Sequence, residues 1–397
     1  MATVEWYKWN VLLLTICLLI GWNYWLTNFL WGAPFTLVGG PSVDFHYYYL
    51  AGRAWLSQVN PYSYVVPYGA GFVYPPTFLP FFGMFALGEF RFASQLWWIT
   101  YFSVFVVAAL ALALTIRGEK RYLYSWITVL LFLTSYPSFW LFYLGQNDLL
   151  IASLTILSLV CERLRRPFAS AFLLSIGTLM KGSAVFFLIY FVIFRKDLRY
   201  LVHFLISTLV IVGASLLVVP WKLYWYYMVT VLPGTYSQYE RQTSQTIVRL
   251  LYLAGMNRLA LQATSLAVVC LFAIFSFYAS SNRWTATFGK RTVRADAMFL
   301  MNGLIILLVS PRSLIYPYVW VILPLALFLS TLLMERVKIG YLMFVGFATF
   351  FLNSVLSPDF LAGIYQILPL EIIGNLMMII SLIPIHIRPT AIIRRAK

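Results

Sequence analysis

The chain is dominated by long apolar runs separated by short clusters of Lys and Arg. A helix needs about 20 apolar residues to cross the hydrocarbon layer of a bilayer, and runs of that order recur along all 397 residues. Hydrophobic residues make up 62% of the chain and charged residues only 10%, whereas a soluble domain carries about 25% charged residues. Because so few charges could not cover a globule of this size, the sequence predicts an all-α polytopic membrane protein.

The charge and the cysteines narrow the classes of partner. The formal net charge is +16, but the basic residues lie between apolar runs, where they set topology and contact anionic headgroups. We therefore expect membrane lipids, and no nucleic acid, as partners. Cys17, Cys161 and Cys270 show neither paired nor metal-ligand spacing. Hence no disulfide framework, metal or cofactor is expected.

The apolar runs predict about twelve membrane helices in one domain, residues 1–397. Candidate spans lie near 10–30, 96–116, 125–141, 148–161, 201–219, 259–280, 295–310, 314–333, 340–357 and 370–385. The stretch 168–194 contains Lys181 and is predicted as two short helices that meet at Lys181-Gly182-Ser183. Because Lys and Arg favour the cytoplasmic side, the basic loops 117–122 and 161–167 are both placed there. Both termini are then cytoplasmic, and the plasma membrane is the expected location.

This topology creates two long extracytoplasmic loops, at about 31–94 and 220–258. It requires the apolar segment 76–88 to lie in the outer interface or to re-enter, because that segment is short for a span. The cytoplasmic loops are short and mostly basic. We therefore expect the functional site on the extracytoplasmic side.

An acidic residue near the start of the first long loop has two interpretations. Ser42 is predicted to cap a helix over 43–57, with Asp44 in its first turn and Tyr48 one helical turn further along the same face. Asp44 could serve only to favour its own helix start, where the helix dipole accommodates negative charge. Alternatively, Asp44 is a carboxylate at the membrane surface that removes a proton from an attacking hydroxyl.

Several motifs resemble those of a known family. The first loop contains Asp44-Phe45-x-x-Tyr48-Tyr49-x-Ala51-Gly52-x-Ala54, then Asn60-Pro61-Tyr62 and Tyr74-Pro75-Pro76. This pattern resembles the polyprenyl-phosphate-mannose-dependent α-1,2-mannosyltransferases, glycosyltransferase family 87, which have the GT-C architecture. Later motifs extend the resemblance over most of the chain: Gly145-Gln146-Asn147-Asp148, Met180-Lys181-Gly182, and Ser310-Pro311 followed by Tyr316-Pro317-Tyr318.

The resemblance implies a GT-C-like bundle with interface-lying helices in the first outer loop. It also implies an inverting transfer of a hexose from a polyprenyl-phosphate donor to a glycolipid or glycan hydroxyl, with Asp44 as the catalytic base. The departing phosphate needs cations. Lys181 is one candidate, because a lysine at membrane depth is costly without a partner, although it could instead snorkel from a helix end. Arg312 is the second, unless its position reflects topology alone.

Further polar and aromatic residues are candidates for binding the sugar or the acceptor: His46, Tyr48, Tyr74, Gln146, Asn147, Asp148 and Tyr316. Each type has a structural alternative. Asn147 could cap its helix, the tyrosines could anchor the aromatic belt at the membrane interface, and His46 could be a solvated interface residue.

Two other functions remain open from the sequence. A transporter or flippase of lipid-linked sugars would use the same cations without bond cleavage, although no internal repeat is visible. A family member that has lost activity and serves as a subunit is the third hypothesis. A nucleotide-sugar donor is disfavoured, because no Walker A or GxGxxG motif indicates a nucleotide-binding fold. The absence of an Asp-x-Asp pair argues against a metal-dependent reaction.

Overall fold

The computed structural model describes residues 43–63, 71–116, 118–134, 137–138, 141, 144–235, 246–280, 291–309, 316–334 and 370–387. Regular structure within these ranges is helical, with no β-strand, as the composition predicted. The predicted spans 10–30 and 340–357 and the predicted cap Ser42 lie outside the described residues.

Each predicted span that falls within the described residues overlaps a helix, and further short helices lie in the predicted outer loops. The α-helices are α1 Val43–Leu56, α2 Leu79–Ala86, α3 Phe90–Leu114, α4 Lys120–Thr134, α5 Asp148–Arg163, α6 Pro167–Met180, α7 Leu198–Leu216, α8 Trp221–Tyr226, α9 Leu232–Thr235, α10 Ile247–Leu253, α11 Arg258–Ala279, α12 Arg291–Val309, α13 Ile322–Met334 and α14 Leu370–Ile387. Among the described residues, three short segments are 3-10 helices, Pro76–Phe78, Gly182–Phe187 and Tyr316–Val321, and two are π-helices, Ile189–Phe194 and Tyr227–Val231.

Three of the described helices, α3, α7 and α11, are long and apolar enough to cross a membrane. Their most apolar windows have mean hydropathies of 2.0, 1.6 and 2.1. Much of the surface of α7 and α11 is exposed and apolar, including Leu205, Leu209, Leu266 and Leu271. Such a surface is unfavourable in water and suits a lipid environment. The chain therefore has the character of a membrane protein.

The helix α5 lies at the centre of the described core. It packs against α3, α6 and the 3-10 helix Tyr316–Val321, and nearly every residue from Asp148 to Val160 is buried. Because α5 is covered on all sides, the polar side chains at its two ends are shielded from solvent. These ends are where the buried ion pairs of α5 form.

The predicted interruption at Lys181 is confirmed. Helix α6 ends at Met180, Lys181 adopts an extended conformation with φ −150° and ψ 109°, and the 3-10 helix begins at Gly182. A single extended residue between two helical segments changes the direction of the chain. The Lys181 side chain thereby reaches the start of α5.

Helix α1 matches the helix predicted over 43–57 and lies closely against α2. A Cβ atom added at Gly52 would lie 2.6 Å from the backbone carbon and oxygen of Phe82, and one at Gly83 would lie 2.8 Å from the Trp55 ring. Only glycine permits such close backbone approach. This crossing fixes α1 on one side, so that the face carrying Asp44 and Tyr48 meets the start of α5.

Candidate active site

A hydrogen-bonded cluster joins the first turn of α1 to the residues just before α5. The Gln146 side-chain amide donates to Asp44 Oδ2, and its Oε1 accepts from the Tyr48 hydroxyl at 3.1 Å. The Tyr48 hydroxyl also lies 2.9 Å from the Tyr74 hydroxyl. These four residues come from three separate parts of the chain, and all four were candidate site residues in the sequence. The predicted shared face of Asp44 and Tyr48 is confirmed, because both contact Gln146.

The conformation of Gly145 delivers Gln146 to this cluster. Gly145 has φ +69°, a left-handed conformation that glycine adopts without steric cost. Its N–H donates to the Leu141 carbonyl at 2.9 Å, and its carbonyl accepts from Trp97 Nε1 at 2.9 Å. The motif therefore needs glycine to reverse the chain immediately before α5, and Trp97 of α3 fixes that reversal.

Aromatic packing fixes α1 beneath the cluster. Phe45 is fully buried, and its ring stacks on Trp97 with centroids 5.5 Å apart. The Tyr48 ring stacks on Phe82 of α2 at 4.9 Å, and the Tyr49 hydroxyl donates to the Gly88 carbonyl at 2.9 Å. Alternate sides of α1 are thus held by α2 and α3, and Asp44 is presented from a rigid element.

The motif Asn60-Pro61-Tyr62 places the segment that carries Tyr74. Asn60 Oδ1 accepts from the Tyr62 backbone N–H at 3.0 Å, a local turn that Asn favours. The Tyr62 hydroxyl then donates to the Tyr74 carbonyl at 2.9 Å. The Asn60 and Tyr62 side chains therefore support the backbone beside the cluster.

The electrostatic surroundings keep Tyr48 protonated. Burial raises the pKa of Tyr48 well above its usual value, and the neighbouring Tyr74 and Asp44 raise it further. The hydroxyl is therefore a neutral donor at physiological pH. It directs its proton toward Gln146.

A second cluster pairs two of the predicted site residues, Asp148 and Lys181. Lys181 Nζ lies 2.8 Å from Asp148 Oδ1 and 2.9 Å from Oδ2, and Trp320 Nε1 donates to Oδ1 at 2.8 Å. The Asp148 side chain has no exposure, whereas 19% of the Lys181 side chain is exposed. The carboxylate is thus fully enclosed, while the lysine side chain is partly exposed.

Asn147, between the two clusters in sequence, does not act as a helix cap. It occupies the residue before α5, but its side chain makes no capping hydrogen bond. Asn147 is fully buried, and its Oδ1 and Nδ2 atoms have no hydrogen-bond partner in the structure as described. The capping alternative is therefore wrong for this side chain. Burying an amide without partners lowers the free energy of unfolding by about 1–3 kcal/mol. The Asn147 amide can therefore still donate and accept hydrogen bonds at this site.

The remaining predicted residues lie elsewhere or outside the described structure. The half-buried His46 ring packs on Phe90, with centroids 4.8 Å apart, and burial lowers the pKa of His46 below its usual value. It makes no hydrogen bond to the described members of the clusters. Arg312 is outside the described residues. Tyr316 begins a 3-10 helix, but its side chain is also outside the description.

Sequence reasoning missed Trp97 and Trp320, which donate to Gly145 and Asp148 respectively. Both lie in apolar runs where tryptophan is ordinary, and no local pattern marks a tryptophan that uses its N–H in this way. The Asp148–Lys181 pair was also missed, although both residues had been selected. The sequence signal for this ion pair was the presence of two opposite charges at the ends of adjacent apolar runs.

The family comparison agrees with the motifs. The model of glycosyltransferase family 87 matches residues 72–311, which is more than half of the chain and includes Tyr74, Gln146 to Asp148 and Lys181. Asp44 precedes the matched region. Neither the curated proteins nor the solved structures gave a match. The chain belongs to glycosyltransferase family 87 and is, by that membership, a glycosyltransferase.

Proposed function

We propose that the protein transfers a hexose, with mannose as the first candidate, from a polyprenyl-phosphate donor to a hydroxyl of a glycolipid or glycan. The transfer takes place on the extracytoplasmic side of the plasma membrane. The observation that carries this proposal is that the hydrogen-bonded cluster around Asp44 and the Lys181–Asp148 ion pair both lie at the start of α5. A glycosyl transfer from a lipid phosphate needs both a base and a cation.

Asp44 is the base in this proposal. The acceptor hydroxyl gives its proton to the Asp44 carboxylate while its oxygen forms a bond to the anomeric carbon. The bond from that carbon to the phosphate oxygen breaks, and the lipid leaves as a phosphate monoester. Attack from the face opposite the phosphate inverts the anomeric configuration, so a β-linked donor gives an α-linked product.

Lys181 stabilises the negative charge that develops on the departing phosphate. Its ammonium group is already held at the site by Asp148, so little reorganisation is needed when the donor binds. Trp320 continues to donate to Asp148 if Lys181 turns partly toward the phosphate. We assign Arg312 as a second phosphate ligand because of its position in the sequence.

The unpaired amide of Asn147 is the first candidate for binding a sugar hydroxyl, because it offers both a donor and an acceptor in a buried position. Tyr48, Tyr74, His46 and Tyr316 remain candidates for contacts with the sugar or the acceptor. Both Asp148 oxygens already accept hydrogen bonds from Lys181 or Trp320. Its contribution is therefore assigned to holding Lys181.

The test is transfer by the purified protein from radiolabelled polyprenyl-phosphate mannose into a lipid extract of the host, with matched glucose and arabinose donors and a nucleotide sugar beside it. We expect labelled product from a lipid-phosphate sugar and none from the nucleotide sugar. Product from the glucose or arabinose donor alone would keep the reaction and replace mannose. Donor binding without product from any of them would contradict the proposal and favour a transporter of lipid-linked sugars.

A further inference from the structure

Gln146 was selected from the sequence as a sugar or acceptor ligand, but both ends of its amide are engaged within the protein. Its Oε1 accepts from Tyr48, its Nε2 donates to Asp44, and only 3% of the residue is exposed. We propose that Gln146 is a positioning residue that holds the Asp44 carboxylate through its amide N–H. This inference rests on the proposed role of Asp44 as the base.

The hydrogen bonds of the cluster run in one direction. The Tyr48 hydroxyl has a single proton, which it directs to Gln146 Oε1. Tyr74 must therefore be the donor in the 2.9 Å contact between the two tyrosine hydroxyls. The Gln146 oxygen is fixed toward Tyr48, and this leaves its N–H groups as the end that meets Asp44. Each hydrogen bond in the series from Tyr74 through Tyr48 and Gln146 is thus donated in the direction of the Asp44 carboxylate.

The backbone beneath Gln146 is as constrained as its side chain. Gly145 holds the left-handed conformation with φ +69°, and its carbonyl is fixed by Trp97 at 2.9 Å. By contrast, the adjacent Asn147 amide is buried without a partner in the structure as described. The two neighbouring amides therefore differ in function: Asn147 keeps capacity for a ligand, whereas the capacity of Gln146 is used to orient Asp44.

This arrangement favours the ionised form of the base, because hydrogen bonds donated to a carboxylate stabilise its charge. The other charged and titratable groups are known for each element packed here. Helix α2 has no titratable side chain. On α1, before α2, before and on α3, and around the start of α5, these groups are His46, Tyr47, Tyr48, Tyr49, Arg53, Tyr74, Glu89, Arg91, Tyr101, Asp148 and Lys181.

The experiment measures transfer as a function of pH for the wild type, Gln146→Leu and Gln146→Glu. The exposed Gln262 on α11 supplies a matched control, Gln262→Leu. In Gln146→Leu, we expect the acid limb of kcat to move upward by about one pH unit, because the ionised base loses a charge-assisted hydrogen bond. The donor KM should stay unchanged. Gln146→Glu should move the acid limb further, because a second carboxyl group next to Asp44 disfavours the ionised pair.

The opposite kinetic pattern would overturn the inference. A raised donor KM with an unchanged acid limb in Gln146→Leu would indicate that Gln146 binds substrate. If the wild type itself shows no transfer, the proposed function is contradicted and this kinetic test does not apply. A second readout covers that case: infrared titration of the Asp44 carboxyl group, isolated as the difference between each protein and its Asp44→Asn counterpart. An upward shift in Gln146→Leu would support the positioning role without any turnover. An unmoved titration would refute it.

Discussion

The two ends of α5 carry buried charges in contrasting arrangements. At the carboxyl-terminal end, Asp296 of α12 is buried and pairs with Arg163, with Lys120 3.9 Å away, and Glu162 pairs with Arg195. At the amino-terminal end, Asp148 pairs with Lys181, but a buried, unpaired amide lies beside this pair.

We interpret the contrast as one between buried polar groups that stabilise the fold and buried polar groups that serve the proposed reaction. The carboxyl-terminal pairs join α5 to α12 and to the segment after α6, and each described carboxylate there has a basic partner. At the amino-terminal end the Asn147 amide has no partner among the described residues, and the Lys181 side chain remains partly exposed. We propose that the amino-terminal end keeps this hydrogen-bonding capacity for a ligand, because most buried polar groups in proteins are paired.

The largest effect on stability should come from the carboxyl-terminal end. Arg163→Met leaves buried Asp296 with Lys120 as its remaining salt-bridge partner in the described structure, and we expect the free energy of unfolding to fall by about 3 kcal/mol. The more exposed pair of Arg195 and Glu162 gives a matched control, Arg195→Met, with a loss of about 1 kcal/mol or less. Thermal unfolding in detergent measures both. A large loss of turnover per folded molecule in Arg163→Met would contradict a purely structural role for the carboxyl-terminal end of α5.

At the amino-terminal end, removing the ion pair should weaken donor binding with little effect on folding. The double variant Lys181→Met/Asp148→Leu replaces both charges with apolar groups, which is often close to neutral for stability. We expect donor affinity to fall about 10- to 100-fold, the range for a lost charge-assisted hydrogen bond. Equilibrium binding of polyprenyl-phosphate mannose measures the effect. Unchanged affinity in a folded double variant would make the pair purely structural.

The smallest effect, and the most diagnostic, concerns Asn147. Asn147→Leu removes a buried amide without partners, so we expect the free energy of unfolding to rise by about 1 kcal/mol while transfer falls about tenfold. Asn302 on α12 is the matched control, because its amide is also buried without partners among the described residues. Asn302→Leu should gain stability and keep activity. Equal loss of activity in both variants would contradict a specific role for Asn147 in binding the substrate.

The sequence predicted what depends on local spacing. The helix over 43–57, the break at Lys181 and the common face of Asp44 and Tyr48 follow from turn residues and helical periodicity, and the structure confirms them. The family motifs also selected Gln146, Asp148 and Lys181 as candidates, and the structure places these side chains around the start of α5.

The partners of these residues could not be predicted, because they come from distant parts of the chain. Asp44 and Gln146 are separated by 102 positions, and Asp148 and Trp320 by 172. Periodicity says which face a side chain occupies, but not which helix will meet that face. For Asn147 the sequence left capping and sugar binding open, and only the three-dimensional arrangement shows that its side chain makes no capping hydrogen bond.

The measurement closest to the central claim compares wild type and Asp44→Asn for equilibrium donor binding and single-turnover transfer. Asp197→Asn is the control, since Asp197 caps α7 and Asn is an equally good cap. We expect unchanged donor affinity and a transfer rate lowered by about 10²- to 10⁴-fold in Asp44→Asn alone. A transfer rate equal to that of the wild type would contradict the assignment of Asp44 as the base.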